Sequence, residues 1–171
     1  SKYCYSNYGR KTKSMDIIEN YVGAESLKEL DRNLNANHFP WYWVKKIARA
    51  NNINNYHFSH DFYVNDRICS NWFPLIEKSF LLLLKPKALI RIKANLNVQT
   101  EKQFLFEKHQ DQDFDCKVAI FYLNSNDGYT LINNKEIKSV KNRMLFFNNE
   151  WHSSSTTTNQ PNRIVINFNY F

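Results

Sequence analysis

The second half of this chain is broken at short intervals, and that punctuation constrains its fold more than any other feature. From residue 88 onward the runs ALIRIKANL, CKVAIFYLN, GYTLI, EIKSV, RMLFF, HSSSTTT and RIVINFNYF follow one another. They are short and rich in β-branched and aromatic residues, and the turn formers SNDG, NNK, KN and NQPN separate them. Many short strands joined by turns predict an antiparallel sandwich or barrel. Jelly rolls and cupins belong to that set.

Residues 1–87 read differently. Ser26-Leu27-Lys28-Glu29 matches a capping box, in which Ser26 accepts from the Glu29 N–H and Glu29 reaches back. Leu27, Leu30 and Leu34 then recur at helical spacing. The aromatic stretch FPWYWV at 39–44 breaks the helix and predicts an extended segment. A second helix is expected after Ser70-Asn71, carrying Trp72, Leu75, Ile76, Phe80, Leu83 and Leu84 until KPK ends it. No repeat and no Gly- or Ser-rich linker divides the 171 residues. The expectation is one domain, with a mixed helical and extended support region at 1–87 and a β core at 88–171. The class is mainly β with flanking amino-terminal helices.

Composition narrows the partners. The net charge of +7 permits an acidic partner, but the basic residues are scattered. The densest group, GRKTK at 9–13, is short, so a solvated surface accounts for the charge and nucleic acid is not expected. Cys4, Cys69 and Cys116 are odd in number and irregular in spacing, which suits neither a disulfide framework nor a zinc site. Cys116 reads as a small apolar residue on a buried strand. A cytoplasmic location is expected, with no leader peptide. The apolar run FLLLL at 80–84 is too short to cross a bilayer, so no membrane partner is expected.

The stretch KHQDQDFD at 108–115 puts one histidine and three carboxylates just ahead of an apolar strand. In extended chain, residues i and i+2 share a face, which makes His109 and Asp111 a pair of ligands on one side. Asp113 could share that face but lies too far along to complete a compact site. A third ligand should come from another strand, and His152, 43 residues on, is the candidate. Two imidazoles and one carboxylate with positions left open suit non-haem Fe(II). Asp113 and Asp115 read as solvated acids near the entrance. His57 and His60 are three apart, wrong for one strand face, and His60 reads as structural.

The last strand supports a lined pocket. Arg163, Val165, Asn167 and Asn169 share one face, while Ile164, Ile166, Phe168 and Tyr170 share the other. The first face is oddly polar for a core strand, and a buried arginine there would suit a carboxylate. Tyr122 shares a face with Val118 and Ile120, which sets a phenol among apolar neighbours. Asn95 and Asn167 could line the pocket or serve structural hydrogen bonds.

Together these residues resemble the 2-oxoglutarate- and Fe(II)-dependent dioxygenases, in their prolyl 4-hydroxylase-like branch. The family pattern of His-X-Asp, a distal His and a following Arg is matched by His109-Gln110-Asp111, His152 and Arg163. AIFYLNSNDGYTLI and VKNRMLFFNNEWH resemble the branch's flanking segments, and the match covers roughly 88–171. FPWYW and HFSHDFYVN resemble small stand-alone phage and bacterial members. The resemblance implies a double-stranded β-helix with Fe(II) held by His109, Asp111 and His152. It further implies that 2-oxoglutarate chelates the iron and meets Arg163 and Tyr122 through its 5-carboxylate, with Asn167 in the pocket and O2 as oxidant.

Ascorbate belongs to the cofactors of that branch. The implied reaction releases succinate and CO2 and hydroxylates an unactivated C–H, first of all in a prolyl residue of a peptide or protein. Asp111 favours hydroxylation over halogenation, since related halogenases lack this carboxylate. Other readings are an oxygenase acting on a small molecule or on nucleic acid, or a non-redox metal-binding cupin. Nucleic-acid demethylases of the superfamily show a second arginine where this chain has Asn169. The sequence is silent on oligomeric state.

Overall fold

The computed structural model describes residues 15–45 and 56–171. Cys4, GRKTK and residues 46–55 lie outside them. Eleven strands and two helical segments follow in chain order: β1 (Asp16–Ile18), α1 (Ala24–Leu34), β2 (Tyr42–Lys45), β3 (Tyr56–Val64), β4 (Arg67–Ile68), α2 (Phe73–Ile76), a π-helical turn (Glu77–Leu81), α3 (Leu82–Leu84), β5 (Leu89–Val98), β6 (Lys117–Tyr122), β7 (Tyr129–Ile132), β8 (Lys135–Lys138), β9 (Arg143–Asn148), β10 (His152–Ser154) and β11 (Asn162–Tyr170). Every strand pair in them is antiparallel.

Two sheets result. The major sheet runs β1-β9-β6-β11-β5-β3-β2, with β4 hydrogen-bonded to β3. The minor sheet runs β10-β7-β8. This is the double-stranded β-helix that the resemblance implies, a jelly roll within the sandwich-or-barrel set that the punctuation predicts. Turn chemistry comes from asparagine, because the chain has only three glycines. Asn133 and Asn134 join β7 to β8 with φ of 50° and 61°, and Asn65 and Asp66 join β3 to β4 with φ of 46° and 63°. Two-residue hairpin loops with both φ positive match the right-handed strand twist, and Asn and Asp tolerate that region best after glycine.

The major sheet buries both faces. One face carries Phe62, Ile92, Ala94, Ala119, Phe121, Ile164, Ile166 and Phe168 against Leu30, Leu34, Ile76 and Phe80 of the helices. Phe80 meets Phe121 and Phe168, each with ring centroids 4.9 Å apart. Each such ring, fully buried, contributes about 1.5–3 kcal/mol. The other face carries Val118, Ile120, Tyr122, Leu145, Phe147 and Val165 against Ile132 and Ile137 of the minor sheet.

Three expectations need amendment. The capping box does not form: α1 starts at Ala24, Gly23 is its N-cap, and the Gly23 carbonyl accepts from Leu27 N–H at 3.0 Å. Ser26 therefore lies inside the first turn. Second, the support region supplies more sheet than its mixed pattern suggests, since the nine-residue β3 pairs with β5 inside the major sheet. Third, His109 does not sit on a continuous strand but on an isolated bridge to His152. The second helix does form, as α2, the π turn and α3, and it stops at Lys85, whose φ of 48° precedes Pro86. Among the described residues no helix is long and apolar enough to cross a membrane.

Candidate active site

The site is built on the bridge between His109 and His152. Each residue donates its backbone N–H to the other's carbonyl at 2.9 Å. Directly opposed residues of an antiparallel pair project side chains to the same side, and the two rings lie with centroids 4.6 Å apart. His109 Nδ1 is 3.2 Å from the Glu107 carbonyl and His152 Nδ1 is 2.8 Å from the Glu150 carbonyl. A carbonyl can only accept, so these contacts put the proton on Nδ1 and leave each Nε2 lone pair available to a metal.

Asp111 completes the group. Its Oδ1 is 3.6 Å from His109 Nε2 and 3.7 Å from His152 Nε2. The three donor atoms lie within 4.8 Å of one another. Its Oδ2 accepts from the side-chain amides of Asn167 and Asn169, at 2.8 Å each. One oxygen is thus pinned by β11 while the other faces the histidines. Burial pushes the Asp111 carboxyl up, but its neighbours His109, His152 and Arg91 and the Asn167 amide together hold it well below the usual range. It is ionised at neutral pH. Two neutral imidazole nitrogens and one carboxylate oxygen fit a divalent first-row metal.

Arg163 sits on the same face of β11, deeper in the fold and only 1% exposed. Nε donates to Ser139 Oγ at 2.7 Å, Nη1 to Ser154 Oγ at 2.7 Å and Nη2 to Thr130 Oγ1 at 3.2 Å. The Tyr122 hydroxyl donates to the same Thr130 Oγ1 at 2.8 Å, and its ring lies 5.6 Å from the guanidinium carbon. Burial pushes the Tyr122 phenol up, with Arg163 opposing, and burial pulls the Arg163 guanidinium down. Gly128 makes room for this arginine: a Cβ there would stand 2.5 Å from Arg163 Cδ.

His109, Asp111, His152, Arg163 and Asn167 line one cavity of about 370 Å³. Asn95 lines it too, alongside Arg91, Lys93 and Asn97 of β5. Tyr122 reaches it only through Thr130, and the Asn167 amide is spent on Asp111. Asp113 and Asp115 are exposed. His60 faces the helix side, with Nδ1 2.7 Å from the Pro40 carbonyl and Nε2 2.6 Å from Ser70 Oγ, while His57 lines the cavity from the opposite face of β3.

Several site residues escaped the sequence reading. Asn149 accepts from Asp111 N–H at 3.0 Å and donates to the Gln112 and Phe114 carbonyls at 2.7 and 2.8 Å, so it shapes the ligand loop. A lone asparagine in NNEWH gives no local signal of that. Arg91, 3.6 Å from Asp111 Oδ1, had a signal in the alternation of ALIRIKANL, whose polar face is Arg91, Lys93, Asn95 and Asn97.

No family model and no curated protein matches the sequence. Solved structures do match in three dimensions. A prolyl hydroxylase from Trichoplax adhaerens, in complex with a hypoxia-inducible-factor oxygen-degradation-domain peptide, superposes with a TM-score of 0.64 at 16% identity, covering 94% of this chain and 84% of its own. A Pseudomonas putida prolyl-4-hydroxylase gives 0.56 at 11% identity, with 93% of each chain covered. The non-haem α-ketoglutarate-dependent epimerase SnoN of nogalamycin biosynthesis gives 0.62 at 12%, covering 93% and 78%. The fold is that of the prolyl hydroxylases and other 2-oxoglutarate/Fe(II) oxygenases.

Proposed function

We propose that this chain is a 2-oxoglutarate- and O2-dependent Fe(II) oxygenase that hydroxylates an unactivated C–H. The observation that carries the reading is Arg163. It is a buried guanidinium whose hydrogen bonds go to three neutral hydroxyls, at the inner end of the cavity that holds the His109–Asp111–His152 group. A buried cation without a counter-ion is costly, and a dicarboxylate reaching from the metal to Arg163 would supply one. Fold neighbours whose names include α-ketoglutarate-dependent and 2OG-Fe(II) enzymes support the same cosubstrate.

Each residue has a stated task. His109, Asp111 and His152 would hold Fe(II), which supplies oxygen activation coupled to decarboxylation of 2-oxoglutarate to succinate. Asn167 and Asn169 keep Asp111 presenting Oδ1. Arg163 would grip the 5-carboxylate with Thr130 beside it, while Tyr122 acts through its hydrogen bond to Thr130 and the packing of its ring against the guanidinium. The apolar walls Ile120, Val165 and Phe106 keep water from the reacting centre. Ascorbate would serve as reductant of a wrongly oxidised iron.

A prolyl residue of a peptide or protein is the substrate we propose first, supported by the prolyl hydroxylase neighbours. The epimerase neighbour supports small molecules as the second reading. We place the protein in the reducing cytoplasm, in keeping with the free thiols Cys69 and Cys116. The test is succinate formation by the Fe(II)-loaded protein with 2-oxoglutarate and O2 against a prolyl-peptide library. His152→Ala serves as the inactive control. Absence of succinate with every peptide and without peptide would remove the oxygenase reading.

A further inference from the structure

The charges lining the cavity do not balance. Arg91, Lys93, Lys108 and Arg163 line it, against the carboxylates Glu107 and Asp111. A divalent metal and a dicarboxylate cosubstrate carry equal and opposite charge, so loading the site leaves the cationic excess in place. Two of the cations stand on β5, Arg91 and Lys93, which are two apart and so point to the same side. Lys93 is paired with Asn167 on β11 and with Asp61 on β3, whereas Arg91 is paired with Asn169 and Val64, which carry no charge.

Arg91 is the informative member. Its Nε is buried and makes no hydrogen bond among the described residues. Its Nη2 lies 3.6 Å from Asp111 Oδ1, too long for a hydrogen bond. That oxygen is also the one that would face a metal, so a bound dication takes over the anion that Arg91 now shares. Buried donors in a folded protein are nearly always satisfied, and an orphan in a cavity points to a group that arrives later. Arg163 cannot be that group's only anchor, because it lies at the inner end among Ser139, Ser154 and Thr130.

We propose that Arg91 is a specificity-determining anion subsite: the substrate carries a carboxylate or phosphate that docks on β5 next to the metal. The inference rests on the oxygenase reading for what occupies the rest of the cavity. It narrows the substrate to an acid, such as a residue with a free carboxylate or a phosphate ester, over the interior of a neutral peptide. A guanidinium presents parallel donors that suit either oxyanion.

The test uses the Mn(II)-loaded protein saturated with 2-oxoglutarate and isothermal titration calorimetry. The probes are N-acetyl-L-proline, its neutral amide N-acetyl-L-prolinamide, and O-phospho-L-serine. One of the two acids should bind at least about tenfold more tightly than the amide, and the tighter of the two names the oxyanion. Arg91→Gln should erase that preference, and Arg91→Lys should restore part of it. Arg91→Gln should also bind Mn(II) more tightly, because a cation next to the metal has been removed. Equal binding of acids and amide, or a preference that survives Arg91→Gln, overturns the proposal. Failure of 2-oxoglutarate to bind the wild-type Mn(II) protein would instead strike the oxygenase reading, and the same probes on the metal-free protein then decide the subsite by itself.

Discussion

Along β11, Ile164, Ile166 and Phe168 face the helices, while Arg163, Asn167 and Asn169 face the cavity. Both faces are buried to a similar degree, yet one is dry hydrocarbon and the other is a hydrogen-bonded array. The helix face repeats across the sheet with Phe121 of β6, Ile92 and Ala94 of β5 and Phe62 of β3. The cavity face repeats with Lys93, Asn95 and Asn97 of β5. Burial alone therefore does not mark a core. The chemistry of what is buried separates the face that holds the fold from the face that holds the ligands.

That contrast can be broken by substitution. Phe168→Ala removes a ring packed on Phe80 and should lower stability by about 3–5 kcal/mol. Urea denaturation would show it, with metal affinity per folded molecule retained. Arg163→Ala removes a buried cation on the other face. It should weaken 2-oxoglutarate binding by roughly 30-fold or more, since loss of one partner of a desolvated pair costs about 2–5 kcal/mol. Equilibrium binding to the Mn(II) protein would read this, and Mn(II) affinity itself should hardly move. A variant that binds 2-oxoglutarate like wild type would put the cosubstrate elsewhere.

Asn169→Ala sharpens the comparison at one side chain, which also donates to Asn167 Oδ1 and accepts from Gln112 Nε2. Asp111 Oδ2 keeps Asn167 but loses its second amide. Mn(II) affinity should fall about tenfold, at the low end for residues that orient a metal ligand. The smallest effect is expected at His60 on the helix side. Burial lowers its pKa in the folded protein, whereas the unfolded ring titrates near about 6.5. Below that pH the unfolded chain binds the extra proton. His60 therefore lends stability above about pH 6.5 that is lost as the pH falls toward the lower folded value. His60→Gln should flatten the pH dependence of the urea midpoint in that window. An unchanged slope would show that the ring does not titrate on unfolding.

Legibility in the sequence followed the same division. Strands with a clean alternation were readable, and RIVINFNYF gave both faces of β11 as they stand. β3 was harder, because YHFSHDFYV places His57 on the cavity face and His60 beside Phe62 on the other, which blurs the period of two. The His109–Asp111 spacing gave a ligand pair, but what positions it is non-local. Asn149 reaches back 38 residues to Asp111 N–H, and Gly128 clears space for a side chain 35 positions later. Such contacts leave no periodic trace in a single sequence. Ser26 shows the opposite error, a local motif overruled when Gly23 opens the helix three residues earlier.

The alternation of β11 has a consequence for how such a gene can vary. Its side chains interleave function and core at a period of two, so a shift of one residue would exchange the two sets completely. A single-codon insertion or deletion between NQPN and the strand would present Ile164, Ile166 and Phe168 to the cavity and Arg163, Asn167 and Asn169 to the helices. Point substitutions sample one face at a time and can be graded, whereas length changes there strike both at once. Drift in this segment should be recorded as replacements, with gaps confined to the far side of the turn.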